Sequence, residues 1–152
     1  LVIVGSSKSD ATLRKLVEDM GYHNYVDFQG WQNVELFPSY IQASKIGVCP
    51  IHKNIHHETT YANKIFQYIS FGKPVIVSDC KAQAKVVEKY NCGLVFEDQN
   101  VEAFADKVLE MYQNKKGYDE FSYNGIKAVE CELNWDVISS ELRNLYKETW
   151  IG

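Results

Sequence analysis

Five short apolar runs, each followed by a helix-length amphipathic stretch, constrain this chain more than any other feature. The runs are residues 1–4, 25–29, 46–49, 75–78 and 93–96. A run too short for a helix and apolar at successive positions, as all but 25–29 are, suits a strand covered on both faces. The intervening stretches carry apolar residues three and four apart: Leu13, Leu16, Val17 and Met20 share one face before Gly21, and further helices are predicted over 34–44, 61–71, 82–90 and 101–112. The order βαβαβαβαβα implies an α/β fold, a Rossmann-like parallel sheet with helices on both faces and right-handed crossovers. Residues 118–152 add a helical tail without a strand. In it Asn134 is placed to cap a helix on which Trp135, Ile138, Leu142, Leu145 and Tyr146 recur on one side. No linker, repeat or low-complexity tract interrupts the pattern, so residues 1–152 read as a single domain.

A chain of 152 residues can bury roughly 70% of its unfolded surface, enough for a real core. Its 45% hydrophobic and 24% charged residues are those of a globular chain. The net charge is −4, Arg occurs only at 14 and 143, and the lysines are scattered, which argues against a nucleic-acid partner. No apolar run approaches the roughly 20 residues of a membrane span, so the expected location is cytoplasmic, with peripheral association at the inner face of the membrane as the second expectation. Cys49, Cys80, Cys92 and Cys131 show no Cys-x-x-Cys spacing and read as free thiols that pack as small hydrophobes. The opening "LVIVG" begins inside an apolar strand with no initiator Met, which reads as a fragment of a longer protein.

Ligands bind such sheets beyond the carboxyl ends of the strands. The loops to inspect are therefore residues 5–10, 30–33, 51–60 and 79–81. The first, "VGSSKSD", lacks the second and third glycines of the dinucleotide fingerprint, which argues against a nicotinamide or flavin cofactor. The longest loop, "IHKNIHHETT", is expected to lead into a helix through Thr59 and Thr60, where unpaired N–H groups and a partial positive charge would stabilise a phosphate. From Thr60, steps of four and three residues reach Lys64 and Gln67, while Ile65, Tyr68 and Ile69 face the core. A hydroxyl, an ammonium and an amide thus line one side of the helix; the plain alternative is a solvated face. His52, His56 and His57 with Glu58 are of metal-ligating type, but their spacing matches no metal signature, and an exposed polar loop explains them as well.

The segment "NKIFQYISFGKPVIVSD" resembles that of the retaining glycosyltransferases of family 4, in which a Lys-x-x-Glu-Tyr-like helix is followed by Gly-x-Pro-Val-Ile and a small residue. The likeness extends in order through "LVIVG", "VDFQG", "SYIQASKIGVCP", "NCGLVFED", "VEAFADKVLEMY" and "NWDVISSELRNLY". It implies the C-terminal, donor-binding half of a GT-B fold, whose N-terminal partner domain and first strand lie outside this chain. That partner would hold a glycan or lipid acceptor, as in cell-surface polysaccharide synthesis. The substrate would be a nucleotide-diphosphate sugar, with no cofactor and no catalytic metal. In the family two acidic residues with seven between them bracket the helix start. The second falls on Gln67, which can still accept from ribose hydroxyls through its amide oxygen but carries no charge. The first falls on Thr59, beside Glu58, so the acid that contacts the sugar, the catalytic position, is either shifted to Glu58 or absent. The diphosphate would sit on the N–H groups around Thr59, Thr60, Tyr61 and Ala62 with Lys64 as an added cation, and the base near Gly30, Trp31, Gln32 and Asn33. The family's other phosphate-clamping Arg and Lys lie upstream, so residues 1–152 alone are expected not to turn over. The terminal helix is expected to cross to the other domain, which would leave aromatic surface, including Trp150, uncovered. Two other readings stay open: a noncatalytic nucleotide- or glycan-binding module of the same fold, and a nucleotide-sugar epimerase.

Overall fold

The computed structural model describes residues 1–150, and the side chains of all of these except residues 141 and 148–150; the expectation for the Trp150 side chain lies outside that set. The chain separates into two compact units, Leu1–Tyr40 and Ile41–Gly152.

In the first unit β1 (Val2–Val4) runs parallel to β2 (Asp27–Gly30), with α1 (Asp10–Asp19) between them. The Asp10 carboxylate accepts from the Ser7 N–H and hydroxyl at 3.0 and 2.8 Å and so fixes the turn into α1. At its far end the Gly21 N–H bonds the Glu18 carbonyl and the Tyr22 N–H the Val17 carbonyl, both at 2.9 Å, which closes the last turn. The Arg14 guanidinium donates to the Phe28 carbonyl at 3.2 Å and lies 4.6 Å above the Phe28 ring, tying α1 to β2. The predicted helix over 34–44 divides into a 3-10 turn (Val34–Leu36) and α2 (Phe37–Ala43). The cause is Pro38, which has no N–H to return to the Val34 carbonyl; Phe37 makes that bond instead.

The second unit holds three parallel strands in the order β3 (Gly47–Cys49), β4 (Val75–Ser78), β5 (Gly93–Phe96), in continuous register through Gly47, Val75 and Gly93. The sequence pattern predicts one sheet, whereas the ladders form two. No residue of β1 is buried, and its register with β2 slips between Ile3 and Val4.

Central strand β4 is buried at every position, and its alternation sends Val75 and Val77 to one face and Ile76 to the other. Val75 and Val77 join Cys49, Ile65, Ile69, Val86, Val87 and Cys92 under α4 (Asn63–Ser70) and α5 (Lys81–Tyr90). Ile76 joins Phe96 and Met111 with Phe104 and Phe121 under α6 (Val101–Gln113) and α7 (Lys115–Cys131). Each such fully buried Val or Ile contributes about 1.5–3 kcal/mol. Glycine is required where backbone and side chain approach: a Cβ at Gly47 would enter the Tyr68 ring, and one at Gly93 would strike the Val75 backbone. Helices α6, α7 and α8 (Trp135–Trp150) each start on an asparagine. Asn100, Asn114 and Asn134 accept from the N–H three residues on, all at 2.9 Å. Cys49, Cys80 and Cys92 are buried free thiols, and Cys131 is an exposed one.

The loop over 51–60 contains a helix that apolar periodicity does not announce, α3 (Ile55–Thr59). Asn54 opens it, accepting from the His57 N–H at 2.9 Å, and the Thr59 and Thr60 hydroxyls close it on the Ile55 and His56 carbonyls. Thr59 and Thr60 therefore end one helix and do not begin the next. The helix predicted over 61–71 starts at Asn63, which corrects both the start of α4 and the three-residue stripe: only Lys64 and Gln67 stand on α4.

Candidate functional site

At the carboxyl ends of β3, β4 and β5 the chain builds a charged lattice. Asp98, just past β5, accepts from the Lys53 N–H and from His52 Nδ1, both at 2.9 Å. Asp79, just past β4, accepts from the Asp98 N–H at 2.9 Å and from the Lys53 ammonium at 2.6 Å. The Ser78 hydroxyl donates to the Ile51 carbonyl. The segment after β3 is thus tied to the ends of both β4 and β5. The Lys53 N–H and His52 hold the Asp98 carboxyl down to about 2. Burial pushes Asp79 up, but the bonds from Lys53 and the Asp98 N–H outweigh it and leave its carboxyl below the usual range. Lys53 is pushed up in turn by its bond to Asp79.

Beside this lattice α3 and α4 are joined by Thr60, Tyr61 and Ala62, with extended backbone at Thr60 (φ −118°, ψ 143°) and Ala62 (φ −80°, ψ 111°). Two of the N–H groups expected to face a diphosphate are occupied: Thr60 N–H bonds the His56 carbonyl at 3.0 Å and Ala62 N–H bonds Gln83 Oε1 at 3.1 Å. Glu58 is engaged as well. Its Oε1 accepts from the Lys81 N–H at 3.2 Å, at the start of α5, and its Oε2 lies 3.4 Å from the Lys81 ammonium. The Tyr61 ring packs edge-on to Phe66, centroids 5.9 Å apart, beside a cleft of about 430 Å³ that Val86, Tyr90, Leu133 and Ile138 also line.

Helix α4 itself is sharply two-sided. Ile65 and Ile69 are 1% exposed, and Tyr68 packs over Gly47, while Asn63, Lys64 and Gln67 are exposed. As the first residues of the helix, Asn63 and Lys64 carry N–H groups that no intrahelical carbonyl can reach. The Lys64 ammonium is near enough to β3 to pull down the Cys49 thiol, though burial dominates and leaves that thiol raised. Lys64 and Gln67 lie three residues apart on the same open face.

In the first unit the turn after β2 has Gly30 at φ +64°, a left-handed conformation that favours glycine. The Gly30 carbonyl accepts from the Gly5 N–H at 2.7 Å, Gln32 Nε2 donates to the Gln29 carbonyl at 2.7 Å, and Asn33 Oδ1 accepts from the Glu35 N–H at 3.1 Å. These bonds fix the turn and leave Trp31 80% exposed at its tip.

His52 and His57 serve the loop's own structure, His52 on Asp98 and His57 Nδ1 on the His52 carbonyl. Among the described residues no group of three or more His, Cys, Asp or Glu side chains converges on a metal position. Asp79 lies in one of the loops the sequence singles out, but no motif marks it, Asp98 or Gln83 as a site residue. Their signals were present: the aspartates directly follow strands at the ligand-binding edge, and Gln83 is the one polar residue on the face of α5 that Ala82, Val86 and Val87 bury.

Comparison with known proteins bears on this arrangement. The family described as "Glycosyl transferases group 1" matches residues 1–128. A GDP-mannose-dependent alpha-(1-6)-phosphatidylinositol monomannoside mannosyltransferase of Mycobacterium tuberculosis is 25% identical over 149 residues, 97% of this chain but 39% of that protein. The chain thus spans about two-fifths of the length of the curated relatives it matches. The sucrose-phosphate synthase of Thermosynechococcus elongatus has the same fold over 99% of this chain and 38% of its own, with a TM-score of 0.83 at 21% identity. The Anabaena protein HepE, solved in complex with UDP, superposes over 97% of this chain and 40% of its own, with a TM-score of 0.80 at 14% identity. Among the described residues no helix is long and apolar enough to cross a membrane. With its parallel strands, covering helices and helical tail matching the C-terminal domain of the GT-B fold, the chain belongs to the group 1 glycosyltransferases.

Proposed function

We propose that this domain binds the nucleotide-diphosphate sugar of a metal-independent, retaining transferase that moves the sugar to a glycan or lipid acceptor in cell-surface polysaccharide synthesis. One observation carries the reading. The exposed face of α4 offers Lys64 and Gln67 in line with the helix start, while its opposite face is locked into the core by Ile65 and Ile69. The N–H groups of Asn63 and Lys64, with the Lys64 ammonium, receive the diphosphate; Gln67 accepts from the ribose hydroxyls. The relative that uses GDP-mannose and the neighbour solved with UDP support a nucleotide-diphosphate donor. Glu58, bonded to the start of α5, braces the α3–α4 segment and is the candidate for the acid that contacts the sugar.

A second reading, a nucleotide-binding module without transfer, is favoured by Gln67 and Thr59 standing where the resembled family carries acids. Calorimetric titration with UDP, GDP and ADP, each with and without its sugar, tests the first step. Binding of one nucleotide that weakens about tenfold in Lys64→Ala supports the donor site, since a hydrogen bond to a charged group is worth roughly 1.5–3 kcal/mol. Binding that is indifferent to Lys64 refutes it. Sugar transfer by the full-length protein then separates the two readings.

A further inference from the structure

We propose that Gln83 is the positioning residue of the donor segment, holding the α3–α4 turn so that α4 presents a preset pair of N–H groups, those of Asn63 and Lys64, to the diphosphate. The inference rests on the donor-site reading above. Gln83 is 0% exposed on the otherwise apolar buried face of α5. Burying an amide is unfavourable unless every polar atom is bonded. Here all are: Nε2 donates to the His57 carbonyl at 2.8 Å and the Thr60 carbonyl at 3.0 Å, and Oε1 accepts from the Ala62 N–H at 3.1 Å. The two carbonyls need donors and the N–H needs an acceptor, so this orientation of the amide is the one that satisfies all three.

All three bonds reach the backbone of a single segment, 21 to 26 residues away in sequence. That segment cannot hold itself. Thr60 and Ala62 are extended, and the Thr60 carbonyl and Ala62 N–H find their partner on Gln83 and not in either helix. A Leu or Met at position 83 would fill the core without this polar demand; the amide adds geometry. By taking the Ala62 N–H, Gln83 also decides where the free donors of α4 begin. Glu58, bonded to the Lys81 N–H and ammonium, ties the same segment to the same end of α5.

The test uses the full-length protein, with Gln83→Met, which keeps volume and removes all three bonds, and Gln83→Asn, which keeps an amide too short to span them. Val86→Ala, a cavity on the same face of α5, is the comparison for stability loss alone. Amide hydrogen exchange over residues 60–63, melting temperature and affinity for UDP, GDP and ADP are read on each. Both Gln83 variants are expected to speed exchange over 60–63 at least tenfold and to weaken the preferred nucleotide about tenfold, while exchange in Val75–Ser78 stays slow. Val86→Ala is expected to lower the melting temperature and to do neither. Unchanged exchange over 60–63 in the folded variants overturns the proposal, and so does faster exchange with nucleotide affinity within twofold of the parent. If the parent binds none of the nucleotides, the donor-site reading fails and this proposal's ligand half with it; exchange then decides whether Gln83 fixes the turn.

Discussion

At position 67 an amide oxygen stands where the resembled family carries a carboxylate. A neutral hydrogen bond contributes about 1 kcal/mol and a charge-assisted one roughly twice that. If Gln67 meets the ribose, Gln67→Glu is expected to tighten the preferred nucleoside diphosphate about fivefold, as read by calorimetry; a looser Glu variant refutes the ribose assignment. Asp98 makes a prediction about pH. Its folded pKa is about 2, below the ordinary 3.8 of an aspartate, so the unfolded chain binds more protons as the medium is acidified. The stabilisation it provides is complete above about pH 5 and disappears as pH falls toward 2. Melting temperatures measured between pH 5 and 3 are expected to fall less steeply for Asp98→Asn than for the parent. Parallel profiles would show that the bonds from Lys53 and His52 do not hold the Asp98 carboxylate in solution.

Among the elements, those with an apolar signature were legible in the sequence and those built from polar side chains were not. Strands β4 and β5 lie where their apolar runs place them, and Asn134 caps α8 as its position beside Trp135 implies. Helix α3 escaped because His56, His57, Glu58 and Thr59 carry no apolar period; its ends are set by Asn54 and two threonine hydroxyls. The same blindness misplaced the start of α4, and with it the assignment of Thr60 and Ala62 N–H groups to a ligand. Lys64 and Gln67 were legible because they stand opposite Ile65 and Ile69, whereas Gln83 becomes meaningful only once the fold brings segment 57–62 against α5. The packing of α4 on the sheet can be tested at Gly47, where a Cβ would meet the Tyr68 ring. Gly47→Ala is expected to cost about 1–3 kcal/mol as an overpacked contact, read as an earlier urea midpoint at unchanged slope. An unchanged midpoint would mean that α4 can slide outward on β3.

For the molecule as a whole, the division of labour follows from what the resemblance and the length of the relatives imply. The chain corresponds to 39% of the Mycobacterium tuberculosis relative, and it contains a charged lattice at the strand ends and a candidate cradle for a nucleotide. Transfer needs more than holding the donor. As the sugar leaves, negative charge grows on the departing diphosphate, and preorganised cations and N–H groups must meet it in a water-excluded site. On α4 the candidates for that task are Lys64 and two N–H groups, and the resembled family places its further Arg and Lys, with the acceptor site, outside these residues. Residues 1–152 are therefore expected to bind the preferred nucleotide yet release no nucleoside diphosphate from its sugar conjugate when acceptors are supplied, whereas the full-length protein is expected to do both. A nucleotide-release assay run on the two chains side by side decides the point. Release by residues 1–152 at a rate comparable to the full-length protein would place the whole leaving-group clamp within this domain and would require cations other than Lys64, with Lys53 and Lys81 the first to substitute.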